Sequence, residues 1–277
     1  MLTDYHLHLR PDDPRASAAE HFSGANVDRY RTVAEERGIA ELGCAEHVYR
    51  FAQALEVWQH PLWRESARDD LDAYVGFVRE ETDLKLGIEA DFIVGREDRM
   101  ATLLEGREWD FVVGSVHFVG EHAVDHDGYE VWDHRSQRPD ELWRRYFQTL
   151  GEAARSGLFD ILAHPDLIKY WGPAQRPVPE GDLRRFYDLA MDGIAESQIA
   201  VEVSTAGLRK PAAELYPAPA FLEMCLEAGC PVALSSDAHV PGDVGRDYDA
   251  ALELLERLGV GELAVFDRRV RRLEPIG

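Results

Sequence analysis

Near the start of the chain stands His6-Leu7-His8, two imidazoles separated by one residue. On a β-strand, side chains two apart point to the same side, so both rings can reach one metal ion. Similar groups recur down the chain: Glu46-His47, Glu89-Ala90-Asp91, His117, His164-Pro165-Asp166, Glu202 and Asp237-Ala238-His239. Imidazole and carboxylate together suit zinc, iron or manganese, and a mixed nitrogen and oxygen set does not fix which. Read instead as purely structural residues, they would be several ionisable groups buried unpaired at one pole, each costly to desolvate. A lone His-x-His carries little weight; the joint arrangement points to a metal centre.

Short apolar runs must position these groups. They fall at 2–6, 39–45, 84–90, 111–116, 159–163, 199–203 and 231–234, and predict seven strands. Several are too apolar to be half exposed, as in a parallel sheet covered on both faces. Helical spacing lies between them. Val27, Tyr30, Val33 and Ala34 share a face behind a predicted Asn26 cap, ending near Gly38. Leu71, Tyr74, Val75 and Val78 repeat in the same way. Pro139 starts a helix carrying Leu142, Tyr146 and Leu150, and 182–197 and 220–228 read as two more. Alternating strands and helices predict parallel βαβ units, and seven units over this length predict a barrel. The piece at 261–266 is strand-like with no helix after it. Six of the 11 histidines, His6, His8, His47, His117, His164 and His239, fall at the C-terminal ends of predicted strands. In parallel barrels that face builds the active site. Segments 117–138 and 170–181 read as long loops of the kind that serve as lids or binding loops.

The 277 residues carry 52 Asp and Glu against 30 Lys and Arg, a formal charge of −22. That balance argues against a nucleic-acid polymer, whose affinity comes from basic side chains displacing counterions, and against an anionic membrane. No run approaches the roughly 18 apolar residues of a membrane span, and the first residues lack the basic and apolar regions of a signal peptide. Cys44, Cys225 and Cys230 are too few and too irregular for a disulfide framework and read as reduced, buried thiols. The expectation is a cytoplasmic protein whose residues 1–277 form one barrel domain. His21, His60, His122, His126 and His134 read as surface residues, and Trp132, Trp143 and Trp171 as packing residues.

The segments Asp4-Tyr5-His6-Leu7-His8, Glu46-His47, Gly87-Ile88-Glu89-Ala90-Asp91, Gly114-Ser115-Val116-His117, His164-Pro165-Asp166-Leu167, Ser204 to Lys210 and Ser236-Asp237-Ala238-His239 resemble the PHP (polymerase and histidinol phosphatase) family of metal-dependent phosphoesterases. Within it they resemble the PHP-type histidinol-phosphatases. The resemblance spans nearly the whole chain. It implies an irregular (β/α)7 TIM-like barrel holding two to three divalent ions (zinc, manganese or iron) at the strand C-termini. Carried over, the first ion takes His6, His8, Glu89 and Asp237; the second shares Glu89 and adds His117 and His164. The third takes His47, His239 and a residue from the loop after strand one. There the sequence departs from the family pattern, with Pro14 at the expected place. Asp12 is favoured, with Asp13 and His21 as alternatives. Asp91 is either a ligand or a support for one.

The activity so implied is phosphate monoester hydrolysis, with L-histidinol phosphate as the expected small phosphate-ester substrate. Bridging Glu89 would hold two metals close enough to share a water, whose pKa falls from about 15.7 toward about 7 on such ions. Asp237 or His239 would relay a proton. Arg209 is the first choice for gripping the phosphate, with Lys210 and Lys169 beside it; Asp166, Tyr170 or Glu202 could receive the substrate's amine and imidazole. Alternatives are another small phosphomonoester, a short phosphodiester, a metal-dependent amidohydrolase, or a non-catalytic metal-binding scaffold. The modified lysine many amidohydrolases carry after strand four is absent from Gly114 to His117.

Overall fold

The computed structural model describes residues 1–13, 15–126, 128, 129 and 138–277; Pro14, Trp132 and His134 lie outside the described residues. Seven parallel strands form one sheet in chain order: β1 Leu2–Leu7, β2 Ile39–His47, β3 Lys85–Asp91, β4 Phe111–Ser115, β5 Ile161–Leu162, β6 Ala200–Ser204 and β7 Val232–Ser235. The sheet curls until its edges meet. Leu7 bridges Ala238 in parallel, and the His8 N–H donates to the Ala238 carbonyl at 2.7 Å. Asp4 seals the seam by accepting the backbone N–H groups of Ser236 at 3.0 Å and Gly245 at 3.1 Å. The fold is thus a nearly closed (β/α)7 TIM-like barrel.

A helix follows each strand: α1 Gly24–Glu36, α2 Leu71–Glu81, α3 Glu97–Leu104, α4 Pro139–Arg155, α5 Arg184–Ser197, α6 Pro219–Glu227 and α7 Tyr248–Arg257. Periodicity marks five of them and passes over α3 and α7. The N-cap of α1 is Ser23, not Asn26. Asn26 instead lies in the first turn, and its buried amide donates to the carbonyls of Leu9 at 3.0 Å and His21 at 2.8 Å. Beside it the Tyr30 hydroxyl donates to the His8 carbonyl at 2.7 Å. The polar groups of α1 therefore fix the end of β1, where two imidazoles emerge. On α2, Asp70 caps the helix by accepting the Ala73 N–H at 2.8 Å, and Leu71, Tyr74, Phe77 and Val78 are buried.

The barrel interior is filled by Tyr5, Ala45, Phe111, Val113, Ile161, Ala163, Ala200 and Ala233, joined by Ala264, Val265 and Phe266 from the C-terminal segment. The Phe111 ring needs the two glycines beside it: a Cβ on Gly87 would meet it at 2.2 Å and one on Gly43 at 2.6 Å. The strand-like piece at 261–266 is the first half of a hairpin, β8 Glu262–Asp267 and β9 Val270–Pro275. It closes the N-terminal mouth of the barrel, where Ala264, Val265 and Phe266 join the interior.

Two-residue hairpin turns with positive φ at both positions favour Asn and Gly. Here Arg268 and Arg269 take φ of 47° and 61°. Both are tied down: the Arg268 N–H donates to Asp110 Oδ1 at 3.2 Å, and the Arg269 N–H to the Asp110 carbonyl at 2.8 Å. All three cysteines are free and buried, as expected. Among the described residues, no helix is long and apolar enough to cross a membrane.

Candidate metal centre

Glu89, in β3 and 1% exposed, is the hub. Oε1 lies 3.1 Å from His164 Nε2 and 3.3 Å from His117 Nε2. Oε2 lies 3.3 Å from His6 Nε2 and 3.6 Å from His8 Nε2, and contacts His47 Nδ1. Asp237 comes from beyond β7 with φ of 50°, and its Oδ1 sits 3.4 Å from His8 Nε2 and 3.8 Å from His6 Nε2. One carboxylate thus gathers imidazoles from the ends of β1, β2, β4 and β5. The sequence reading brought these residues to one pole; the structure brings them to one point.

The outward rims of the rings are held by other groups. His6 Nδ1 lies 2.7 Å from Glu202, and His117 Nδ1 lies 2.8 Å from Asp91. A neutral imidazole carries one proton, so a carboxylate at Nδ1 draws it there and leaves the Nε2 lone pair for a ligand. Asp91 is therefore engaged with the outer rim of the His117 ring. Glu46 lies 3.9 Å from His8 Nδ1, but its oxygens are occupied by the backbone N–H groups of Leu9 at 2.7 Å and Arg10 at 3.0 Å and by Arg50 at 2.5 Å.

The chemistry of this set fits divalent cations. His6 Nε2, His8 Nε2, Glu89 Oε2 and Asp237 Oδ1 are buried with no hydrogen-bond partner. Buried polar atoms rarely go unsatisfied, and four that converge need a common partner. Burial would raise the Glu89 pKa, but His47, His6 and His117 hold the carboxyl well below its usual range. Asp237 behaves alike under burial opposed by His6 and His8. Burial drives His47 down to about 3 despite Glu89, leaving it neutral. Burial also works against protonation of His117, yet Glu89 and Asp91 push it up to about 10. Such protons are released when a metal takes their place. A third grouping sits beside these: His239 Nε2 lies 3.0 Å from Asp12 and 3.3 Å from His47 Nε2, and Asp12 lies 3.9 Å from His47. Asp13 pairs instead with Arg15 at 3.0 Å, and His21 lies outside these clusters.

A probable histidinol-phosphatase of Deinococcus radiodurans is 32% identical over 281 aligned residues, covering 99% of each chain. The chain belongs to the histidinol-phosphatase family. A probable histidinol-phosphatase of Schizosaccharomyces pombe is 26% identical over 212 residues, covering 71% of this chain and 69% of its own. No protein-family model matches the chain. The fold is shared with the histidinol phosphate phosphatase of Lactococcus lactis, solved with zinc, L-histidinol and phosphate: TM-score 0.69, 18% identity, 98% of each chain covered.

In this family member His47, His117, His164, Asp237 and His239 floor a cavity of about 820 Å³ walled by Tyr49, Arg50, Asp125, Tyr170, Trp171 and Lys210, among others. Lys210 stands over the Tyr170 ring, 5.4 Å from its centroid. Burial would lower the Lys210 pKa, but Asp237 and its neighbours raise it, so the ammonium stays charged.

Two cations singled out from sequence are not part of this wall. Arg209 donates to the Ser236 carbonyl at 2.6 Å and leans toward Asp243 at 3.7 Å. Lys169 is spent on Asp166 at 2.8 Å and Glu214 at 2.7 Å. Asp166, buried against Lys169 and the Ala218 N–H, and Glu202, buried against His6, are likewise closed to substrate; Tyr170 is on the wall. His60 is no surface residue: it is 7% exposed, and its Nδ1 accepts the Leu62 N–H at 3.2 Å. Trp143 is core, whereas Trp171 and His126 line the cavity. Arg10, Arg50 and Arg68, which also line it, carried no signal in the sequence because ordinary surface arginines look the same.

Proposed function

We propose that this protein hydrolyses L-histidinol phosphate to L-histidinol and phosphate, on a PHP-type barrel, with two to three divalent ions. The first ion is assigned to His6, His8, Glu89 and Asp237, the second to Glu89, His117 and His164, and the third to Asp12, His47 and His239. The observation that carries this reading is the shared Glu89 carboxylate, ringed by imidazole nitrogens and backed by orphaned acceptor atoms. The full-length similarity to a probable histidinol-phosphatase supports the substrate.

When bound, the ions supply Lewis acidity toward phosphate oxygens and a water acidified toward neutral pH. The chain's own residues do the rest. Lys210 neutralises phosphate charge from the wall. Phosphoryl transfer depends mainly on such positioning and charge neutralisation, so no nucleophilic side chain is needed. Asp237 and His239, 3.6 Å apart, handle the proton that the leaving alkoxide takes up. Asp125, a cavity carboxylate with no hydrogen-bond or ion-pair partner among the described residues, receives the substrate's ammonium. The test is turnover of L-histidinol phosphate beside generic phosphomonoesters and a diester, with manganese, iron, zinc and no metal. Selective, metal-dependent cleavage of L-histidinol phosphate is expected; efficient turnover of the diester alone would overturn the reading.

A further inference from the structure

Behind the metal centre lies a carboxylate that substrate never meets. Glu202, in β6 and 1% exposed, is absent from the cavity wall. Its Oε1 lies 2.7 Å from His6 Nδ1 and accepts the Ser235 hydroxyl at 2.7 Å. Its Oε2 accepts the His164 backbone N–H at 2.6 Å. One side chain thereby ties the ends of β1, β5 and β7 together.

The two histidines it holds approach Glu89 from opposite oxygens, His6 at 3.3 Å and His164 at 3.1 Å. On His6, Glu202 orients the ring and fixes which nitrogen is free. On His164 it holds the main chain, whose φ of 22° lies in a region that non-glycine residues seldom occupy without support. Ser235, its third partner, stands two residues before Asp237. Glu202 thus reaches, through one bond each, a ring, a backbone and a strand end that deliver three different ligands.

We infer that Glu202 is a positioning residue: by bonding His6 and His164 together it sets their spacing about Glu89 and so the affinity of the metal centre they share. The inference rests on the metal-dependent reading above. Asp110 offers a matched comparison at the opposite pole. It is also buried, and it accepts the Leu86 N–H at 2.8 Å and Arg79 at 2.7 Å, with no metal ligand in reach.

The experiment measures Zn²⁺ affinity of the full chain by competition with a chromophoric chelator, with a melting curve and a kcat-against-metal titration for each variant. Glu202→Gln keeps the size of the side chain but replaces one acceptor oxygen with a donor amide that opposes the His164 N–H. It should bind Zn²⁺ about 10- to 100-fold more weakly, the usual loss for an outer partner of a metal ligand. Its kcat should recover at saturating metal, with KM for substrate unchanged. Ser235→Ala, which removes one bond to Glu202, should weaken Zn²⁺ binding by about 2- to 10-fold. Asp110→Asn should melt earlier and bind Zn²⁺ as the wild type does.

Folded Glu202→Gln with wild-type Zn²⁺ affinity would overturn the inference, as would an equal affinity loss in Asp110→Asn. If Glu202→Gln does not fold, Ser235→Ala decides, and unchanged affinity there overturns it. Absence of Zn²⁺ binding by the wild type would instead overturn the metal reading, and this inference with it.

Discussion

Asp91 Oδ1 lies 2.8 Å from His117 Nδ1, and this contact turns the ring so that Nε2 faces Glu89 at 3.3 Å. Asp91 is 1% exposed and reaches the ring from the neighbouring strand. Asp91→Asn should therefore raise the metal concentration needed for half-maximal activity by about 10-fold or more. Activity should return at high metal. A metal-activation curve checks this, and an unshifted curve would count against the support role.

Glu89→Ala removes the carboxylate that the imidazoles share. Activity should fall by more than the ~100-fold that loss of an outer partner can cost, and added metal should not restore it. Wild-type rates in this variant, measured beside metal content, would sink the shared-carboxylate centre.

Lys210 and Arg209 are neighbours with different surroundings. Lys210→Ala should raise KM for L-histidinol phosphate by about 10- to 100-fold, the range for losing a hydrogen bond to a charged group. Arg209→Ala removes a donor to the Ser236 carbonyl and should lower the melting temperature more than it raises KM. Steady-state kinetics and melting curves on the two variants separate these roles; the reverse ranking would return Arg209 to the phosphate site.

Gly87→Ala places a methyl group 2.2 Å from the Phe111 ring inside the barrel. Overpacking of this kind costs about 1–3 kcal/mol. A lowered denaturation midpoint is expected, and an unchanged midpoint would mean that the barrel interior has slack.

Chelation should abolish turnover and lower the melting temperature together, because a ligand that binds the folded chain stabilises it by mass action. Zinc, manganese and iron re-addition, followed by both readouts, identifies the ion that restores the enzyme. A melting temperature indifferent to chelator would argue against tightly held metal.

Much of this was legible in the residues. The alternation of apolar runs with 3.6-residue spacing is local, so seven barrel strands and five helices could be placed without coordinates. The hairpin turn at Arg268 and Arg269 could not, because its positive φ angles are stabilised by Asp110, far away in sequence. α7 begins behind Asp247, which has φ of 62° and no side-chain cap bond, so no capping signal announced it.

The sequence by itself determined which residue types end the strands, and hence that a cluster of imidazole and carboxylate groups crowds one pole of a parallel barrel. Strand periodicity makes that a one-dimensional inference. Tertiary structure alone decided which of those groups face inward and which are already occupied. Arg209 and Lys210 are adjacent in sequence, yet one is consumed by the Ser236 carbonyl and the other faces the cavity. Glu202 and Glu89 are alike in type and burial, yet one presents orphaned oxygen to the centre and the other is saturated by His6, Ser235 and the His164 N–H. A side chain's chemistry depends on its partners as well as its type, and partners from distant strands are assigned only when the barrel closes.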